Sequence, residues 1–242
     1  MTGAKTPGAA KKPLLRPRDA STLIIVDRDT GEPRVLMGRR SADQVFMPGK
    51  YVFPGGRVDK QDRLIDSIDA LRPTEVRKLL LDMKGAASEQ RARALALAAI
   101  RETIEEAGIV IGEACTNGGS KTAHETWRDF FDRGYSPKLG ALTFFARAIT
   151  PPGRPRRFDT RFFCCEASAI TARLEISDGE LSGLEWVTIE QARELELPAI
   201  TRVILEDLLD RLKNSTLDDG SIPIPYYHYK NGSFRRELLT AG

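Results

Sequence analysis

The segment Ser88–Gly108 constrains the fold more than any other part of the chain. It reads SEQRARALALAAIRETIEEAG, a serine suited to cap a helix, a run of strong helix formers and a glycine to stop it. Its last turns are chemically unusual. Glu102 lies three residues before Glu105 and four before Glu106, so three carboxylates crowd one edge of the helix. Like charges at that spacing repel, and nothing in helix propensity asks for them. Hard divalent cations bind oxygen ligands of this kind and would relieve the repulsion. The plain alternative is a solvated acidic face, with Arg101 paired to Glu105 across one turn.

The helix is set among strands. Ser21–Val26 and Arg34–Met37 are β-branched and apolar around the turn Asp27–Gly31, and Tyr51–Phe53 runs into the turn Pro54-Gly55-Gly56. Further strands are expected near Ala141–Ile149, Asp159–Glu166 and Leu184–Val187. Helices are expected over Thr126–Asp132, Ile189–Glu196 and from Pro198 to about Lys213. Lys60–Ala87 reads as a mixed helical stretch. Strands and helices alternate irregularly, which predicts an α/β (α+β) chain with a mixed β-sheet sandwiched between α-helices. The expected organisation is a flexible basic leader (1–18), one domain (19–212) and a C-terminal tail without clear period (213–242).

Composition removes several classes of function. The 242 residues carry a net charge of +3, but residues 1–18 hold five basic side chains and no acid, leaving −2 for the rest. A body of that charge offers no broad basic face to nucleic acid. No stretch reaches the ~18 apolar residues of a membrane helix, and no secretory signal opens the chain. Cys115, Cys164 and Cys165 have no zinc spacing, so they read as core thiols in a reducing, cytoplasmic setting.

The glycine turn and the acidic helix together resemble the Nudix box. That pattern is Gly, five residues, Glu, seven residues, then Arg-Glu-U-x-Glu-Glu-x-Gly-U, with U aliphatic. Gly56 opens it here, Asp62 stands at the first Glu, and Arg101-Glu102-Thr103-Ile104-Glu105-Glu106-Ala107-Gly108-Ile109 forms the second half. Thr103 replaces an aliphatic residue, and 38 residues separate the two halves instead of seven. The excess makes Lys60–Ala87 a helical insertion inside the box. Upstream, Arg40-Ser41, Gly49 and Phe53-Pro54-Gly55-Gly56 keep the spacing of the coenzyme A diphosphatase signature, Leu-Leu-Thr-x-Arg-Ser/Ala-x3-Arg-x3-Gly-x3-Phe-Pro-Gly-Gly. Leu36-Met37-Gly38 replaces its opening triplet, and Val45 stands where it has its second Arg. The interrupted box and Arg157–Phe163 are most similar to the peroxisomal coenzyme A diphosphatase branch.

The resemblance implies a Nudix fold and metal-dependent hydrolysis of a phosphoanhydride in a nucleoside diphosphate derivative, coenzyme A or acyl-coenzyme A in particular. ADP-ribose, NADH or a nucleoside triphosphate are rival substrates, and a non-catalytic nucleotide-binding module is the rival of another class. It implies Mg²⁺ or Mn²⁺ on Glu105, Glu106, Glu102 and the Gly55 carbonyl, with Glu102 a ligand or general base, and a possible homodimer. Arg101 is expected to orient the carboxylates, and Arg40 to fork onto phosphate. Arg157 and Arg161 share one strand face with Asp159, either as a phosphate-binding row or as an ion-paired surface. A later acid, Glu166, Asp178 or Glu180, is expected to complete the site. Leu64, Ile68, Leu79 and Leu80 of the insertion either line the cleft or pack the insertion down. His124 and His228 have no evident catalytic partner.

Overall fold

The apolar run near the N-terminus becomes β1 (Arg18–Asp27), whose Leu23, Ile24, Ile25 and Val26 are all buried because both faces of the strand are covered. The computed structural model describes residues 15–29, 31–42, 47–115, 122–175 and 180–240. The chain continues through β2 (Arg34–Arg40), β3 (Tyr51–Val52), β4 (Gly55–Arg57), a 3-10 turn over Gln61–Leu64, and α1 (Pro73–Leu80). Then come α2 (Glu89–Ala107), β5 (Ile109–Ala114), α3 (Glu125–Asp132), β6 (Tyr135–Pro137), β7 (Thr143–Ile149), β8 (Phe158–Glu166) and β9 (Ile170–Arg173). The last elements are β10 (Leu181–Thr188), α4 (Ile189–Glu194), α5 (Ala199–Lys213), β11 (Ile224–Lys230) and β12 (Ser233–Leu239).

The main sheet runs β10-β2-β1-β8-β7-β11-β12, with β3 beside β2 and β4 beside β1; β6-β5-β9 forms a second, small sheet. β1 and β8 pair in parallel from Arg18 opposite Phe158 to Val26 opposite Glu166, so their side chains alternate in step. Leu23, Ile25, Phe163 and Cys165 pack with Leu95, Ala99 and Ile100 of α2. Ile24, Val26, Phe162 and Cys164 pack on the opposite face with Ile204, Leu205 and Leu208 of α5. A mixed sheet between helices is the outcome. Cys164 and Cys165 are small core residues whose thiols burial pushes up.

α2 begins and ends where its sequence requires. The Ser88 hydroxyl accepts from the Arg91 N–H at 3.2 Å, and Gly108 closes the helix in the left-handed region at φ 64°. Thr103, out of pattern for the box, is buried and donates its hydroxyl to the Ala99 carbonyl at 2.8 Å. The stretch 60–87 is less helical than its sequence suggests: the 3-10 turn and α1 are its only helices among the described residues. Ile65, Leu71, Leu79 and Met83 are buried in the α2-side core, and Leu80 is half-buried against it. Packing is therefore the role of Leu79 and Leu80, while Leu64 and Ile68 remain exposed.

Residues 213–242 differ from their reading as a tail without period. β11 runs parallel to β7, with Tyr226 opposite Arg147, and β12 returns antiparallel to it. Ile224–Tyr227 are buried in succession, so the alternation that signals a strand is absent from the sequence. Among the described residues no helix is long and apolar enough to cross a membrane.

Candidate functional site

The site forms where the glycine turn of β4 meets the last turns of α2. β4 pairs antiparallel with β1, setting Gly55 opposite Thr22 and Gly56 opposite Ser21. A Cβ at Gly55 would collide with the Ser21 carbonyl, and one at Gly56 would overlap the Glu102 carboxylate. Gly55 is thus demanded by close approach to a strand, whereas a side chain at Gly56 would push the Glu102 carboxylate from its place. The Gly55 N–H donates to Glu106 Oε2 at 2.8 Å, tying turn and helix together.

Arg101 organises the remaining carboxylates. Its Nε and Nη2 reach the two Asp62 oxygens at 2.9 and 3.2 Å, and Nη1 reaches both Glu105 oxygens at 3.1 and 3.0 Å. Nη2 also donates to the Arg57 carbonyl at 2.7 Å and lies 2.9 Å from Glu102 Oε1. Burial by itself lowers the Arg101 pKa, but Glu102, Asp62 and Glu105 together raise it well above the ordinary range. Asp62 accepts, besides Arg101, the Asp59 N–H and the Trp127 indole N–H, each at 2.8 Å. It is fully buried, so it anchors Arg101 rather than facing a ligand. The 38-residue separation has left the two halves of the box in contact.

Of the other two glutamates, Glu106 is buried and Glu102 largely so, both with incomplete compensation. Burial pushes the Glu102 carboxyl up to about 7, against the pull of Arg101 and with Glu105 adding to the rise. Burial pushes Glu106 up to about 8, with the Gly55 N–H opposing and Glu102 reinforcing it. Arg40 Nη1 is 3.8 Å from Glu106, and its Nη2 donates to Glu180 at 3.0 Å. Three carboxylates of hard oxygen donors, two held in a buried place that disfavours their charge, fit a divalent cation chemically. Among the described residues no three potential ligands already converge into a metal cage.

The structure separates the expected site residues. Arg40, Gly55, Arg101, Glu102, Glu105 and Glu106 come together, and Glu180 joins them through Arg40. Glu166 is occupied by Arg28, at 3.1 and 2.6 Å. Asp178 and Val45 lie outside the described residues. Arg157 and Arg161 form no arginine row toward the carboxylates. Arg157 donates to the Thr150 and Leu15 carbonyls, while Arg161 is buried and paired with Asp159, which also binds Arg147 at 2.8 and 2.7 Å. Asp159, Arg161 and Arg147 form a buried ion network, with Asp19 and Arg91 at its margin, while half-buried Arg157 lies just before β8 and takes no part in it. His228 faces Glu237 on the β11–β12 hairpin.

The helix expected over Thr126–Asp132 is present as α3, but sequence reasoning missed its contacts with the site. Thr126 Oγ1 donates to Glu105 Oε1 at 2.6 Å, and His124 Nε2 lies 4.0 Å from the same oxygen. Trp127 meets Asp62 through its indole. No motif announces these residues, whose only legible signal is the helical spacing of Trp127, Phe130 and Phe131, the buried side of α3.

A glycine turn packed on a carboxylate-bearing helix, beside a mixed sheet sandwiched by helices, defines the Nudix hydrolase fold. A NUDIX hydrolase from Alicyclobacillus acidocaldarius shares it at 27% identity and a TM-score of 0.57, over 79% of this chain and 90% of that one. Within that class the chain belongs to the NUDT19 Nudix domain family, whose sequence profile matches residues 17–197. It is 26% identical over 213 residues to the acyl-coenzyme A diphosphatase NUDT19 of Xenopus laevis, covering 69% of this chain and 55% of that protein. The human acyl-coenzyme A diphosphatase NUDT19 is 28% identical over 211 residues, covering 66% and 55%. The chain spans just over half the length of these curated relatives.

Proposed function

We propose that the chain is a Nudix pyrophosphohydrolase that cuts the phosphoanhydride of coenzyme A or an acyl-coenzyme A. The observation that carries this is the seating of Glu106 and Glu102 against the Gly55-Gly56 turn, with Glu105 joined to them through Arg101, despite the insertion between turn and helix. Glu105 and Glu106, with Glu102 and the Gly55 carbonyl, would hold Mg²⁺ or Mn²⁺. The ion would screen the charge of two phosphates brought next to carboxylates. Glu102, lying against Gly56 beside the other two glutamates, would be a further ligand or the general base for the attacking water. Arg40, between Glu106 and Glu180, would turn its fork onto a phosphate when substrate enters. Glu180 is then the later acid of the site.

In the reaction the water oxygen bonds to one phosphorus as the bridging P–O bond breaks. Coenzyme A would give 3′-phosphoadenosine 5′-monophosphate and 4′-phosphopantetheine, since its only phosphoanhydride joins those halves. The retained signature spacing around Arg40 and the kinship to acyl-coenzyme A diphosphatases support this substrate. Incubation with coenzyme A, acyl-coenzyme A, ADP-ribose, NADH and nucleoside triphosphates, each with Mg²⁺ and Mn²⁺, tests it by product mass. A much higher kcat/KM on ADP-ribose or NADH overturns the substrate and leaves the chemistry. Turnover of none overturns the enzyme reading in favour of a binding module.

A further inference from the structure

We propose that the first turn of α3 is a positioning element for the metal-binding carboxylates, with Thr126 holding Glu105 and Trp127 holding the anchor beneath Arg101. The inference rests on the metal-dependent reading of the site. Its starting point is an asymmetry among the three glutamates. Glu102 and Glu106 are fixed by burial, with side chains 13% and 4% exposed, and by the glycine turn lying against them. Glu105 has no such enclosure; its side chain is 31% exposed and has several rotatable bonds toward solvent. Two groups fix it. Arg101 Nη1 straddles both oxygens, and Thr126 Oγ1 donates to Oε1 at 2.6 Å.

These two groups are mechanically linked. The Trp127 indole N–H binds the same Asp62 oxygen that receives Arg101 Nε. Trp127 is fully buried, between edge-on Phe130 and stacked Phe131 at ring distances of 5.6 and 6.2 Å, so its own orientation is locked. Adjacent residues of one helix turn therefore bind two partners of one guanidinium, Glu105 directly and Asp62 from below. Asp62 is one methylene shorter than the Glu of the box pattern, and it starts an insertion instead of a short loop. A fixed donor from α3 gives that shorter acid a place it would otherwise have to find by itself. Hydrogen bonds that orient a ligand from outside the metal's own shell typically govern affinity by about 10–100-fold. Thr126 stands in that relation to Glu105.

Mn²⁺ binding measured calorimetrically without substrate separates the possibilities. Thr126→Val keeps side-chain shape and removes the donor; its Mn²⁺ dissociation constant is expected to rise about 10-fold. Thr126→Ser restores the hydroxyl and should bind within about 2-fold of the parent, because a change of that size is smaller than the roughly 5-fold that the ~1 kcal/mol scale of one hydrogen bond corresponds to. Thermal unfolding of the metal-free variants identifies any that have lost the fold, and Thr126→Ala replaces Thr126→Val in that event. A folded Thr126→Val or Thr126→Ala protein with unchanged Mn²⁺ affinity overturns the inference. So does a Thr126→Ser protein as weak as Thr126→Val, because the hydroxyl would then not be the cause. Glu106→Gln is the control for the underlying reading. If it also binds Mn²⁺ normally, the metal site itself is wrong; if it alone loses binding, only the role of α3 falls.

Discussion

Replacing Glu106 with Gln tests the central electrostatic claim, that a buried carboxylate is held ready for a cation at a cost in stability. The side chain is 4% exposed, and its folded-state pKa is raised to about 8 from the ordinary 4.5, chiefly by burial. The unfolded chain loses this proton near pH 4.5 and the folded chain only near pH 8. Between those values the folded state binds more protons than the unfolded one, so metal-free stability falls as pH rises from about 4.5 and levels off above about 8. One pKa unit corresponds to about 1.4 kcal/mol, so by pH 7.5 the accumulated penalty is on the order of 4 kcal/mol. Neighbouring Glu102 shares part of it, and Gln brings an amide of its own that needs partners. A gain of roughly 1–3 kcal/mol is therefore expected for Glu106→Gln, equivalent to about 2–4 °C in Tm for each kcal/mol.

The assay is thermal denaturation in EDTA at pH 5.5 and 8.0, with and without Mn²⁺. The parent should lose Tm between the two pH values in EDTA and regain it with Mn²⁺ at pH 8.0. Glu106→Gln should be the more stable protein at pH 8.0 in EDTA, show a shallower pH slope, and gain little from Mn²⁺. At pH 5.5 the folded parent keeps Glu106 protonated and only about one pKa unit of the penalty has accumulated, so the difference between the two proteins should narrow. A parent and variant with the same pH slope, or a variant less stable at pH 8.0, would refute the claim that burial of this charge is what the site pays for.

Three further outcomes follow from the same contacts. Glu105→Gln keeps shape but removes a charge, and should lower kcat by roughly 10²-fold or more without unfolding the protein, as read by steady-state kinetics and circular dichroism. Arg40→Ala should raise KM if its phosphate contact is equal in ground and transition states, and lower kcat if the contact forms only at the transition state. Arg39, which donates to the Gly49 carbonyl, is its control. Asp159→Asn should cost about 3–5 kcal/mol, because it strips the carboxylate from buried Arg147 and Arg161. An unchanged Tm there would reopen Arg161 as a ligand-binding residue.

The sequence made local features legible and left spatial ones hidden. α2 could be bounded to the residue because its signals are local: a serine cap, helix formers and a left-handed glycine. The Arg101–Glu106 set was legible for the same reason, and Gly55-Gly56 because only glycine allows a carboxylate and a strand to come so near. Thr126 and Trp127 sit twenty or more residues beyond the acids of α2 and meet the site only through the packing of α3, so no spacing rule could find them. Arg157, Asp159 and Arg161 were placed on one strand face as alternation requires. Whether that face meets solvent, substrate or a helix depends on what covers the sheet, and Arg147, the partner that decides it, comes from β7.

That an insertion can split the box without scattering its acids has a simple energetic basis. Lengthening the connection from seven to 38 residues raises the entropy of closing the loop by only about 1.5 kcal/mol, since that cost grows with the logarithm of length. Both ends of the excess chain are held by contacts independent of the connection between them. Before it, Asp62 is bound to Arg101 and Trp127; after it, Arg91 in the first turn of α2 is bound to Asp19 of β1 at 2.6 and 2.8 Å. Between them, Ile65, Leu71, Leu79 and Met83 enter the core beside α2, and each fully buried side chain of that kind contributes roughly 1.5–3 kcal/mol toward ordering the added residues. The register of Glu102, Glu105 and Glu106 against Gly55 and Gly56 is then set by β4 pairing with β1 and by α2 packing on β1, not by the length of chain joining turn to helix.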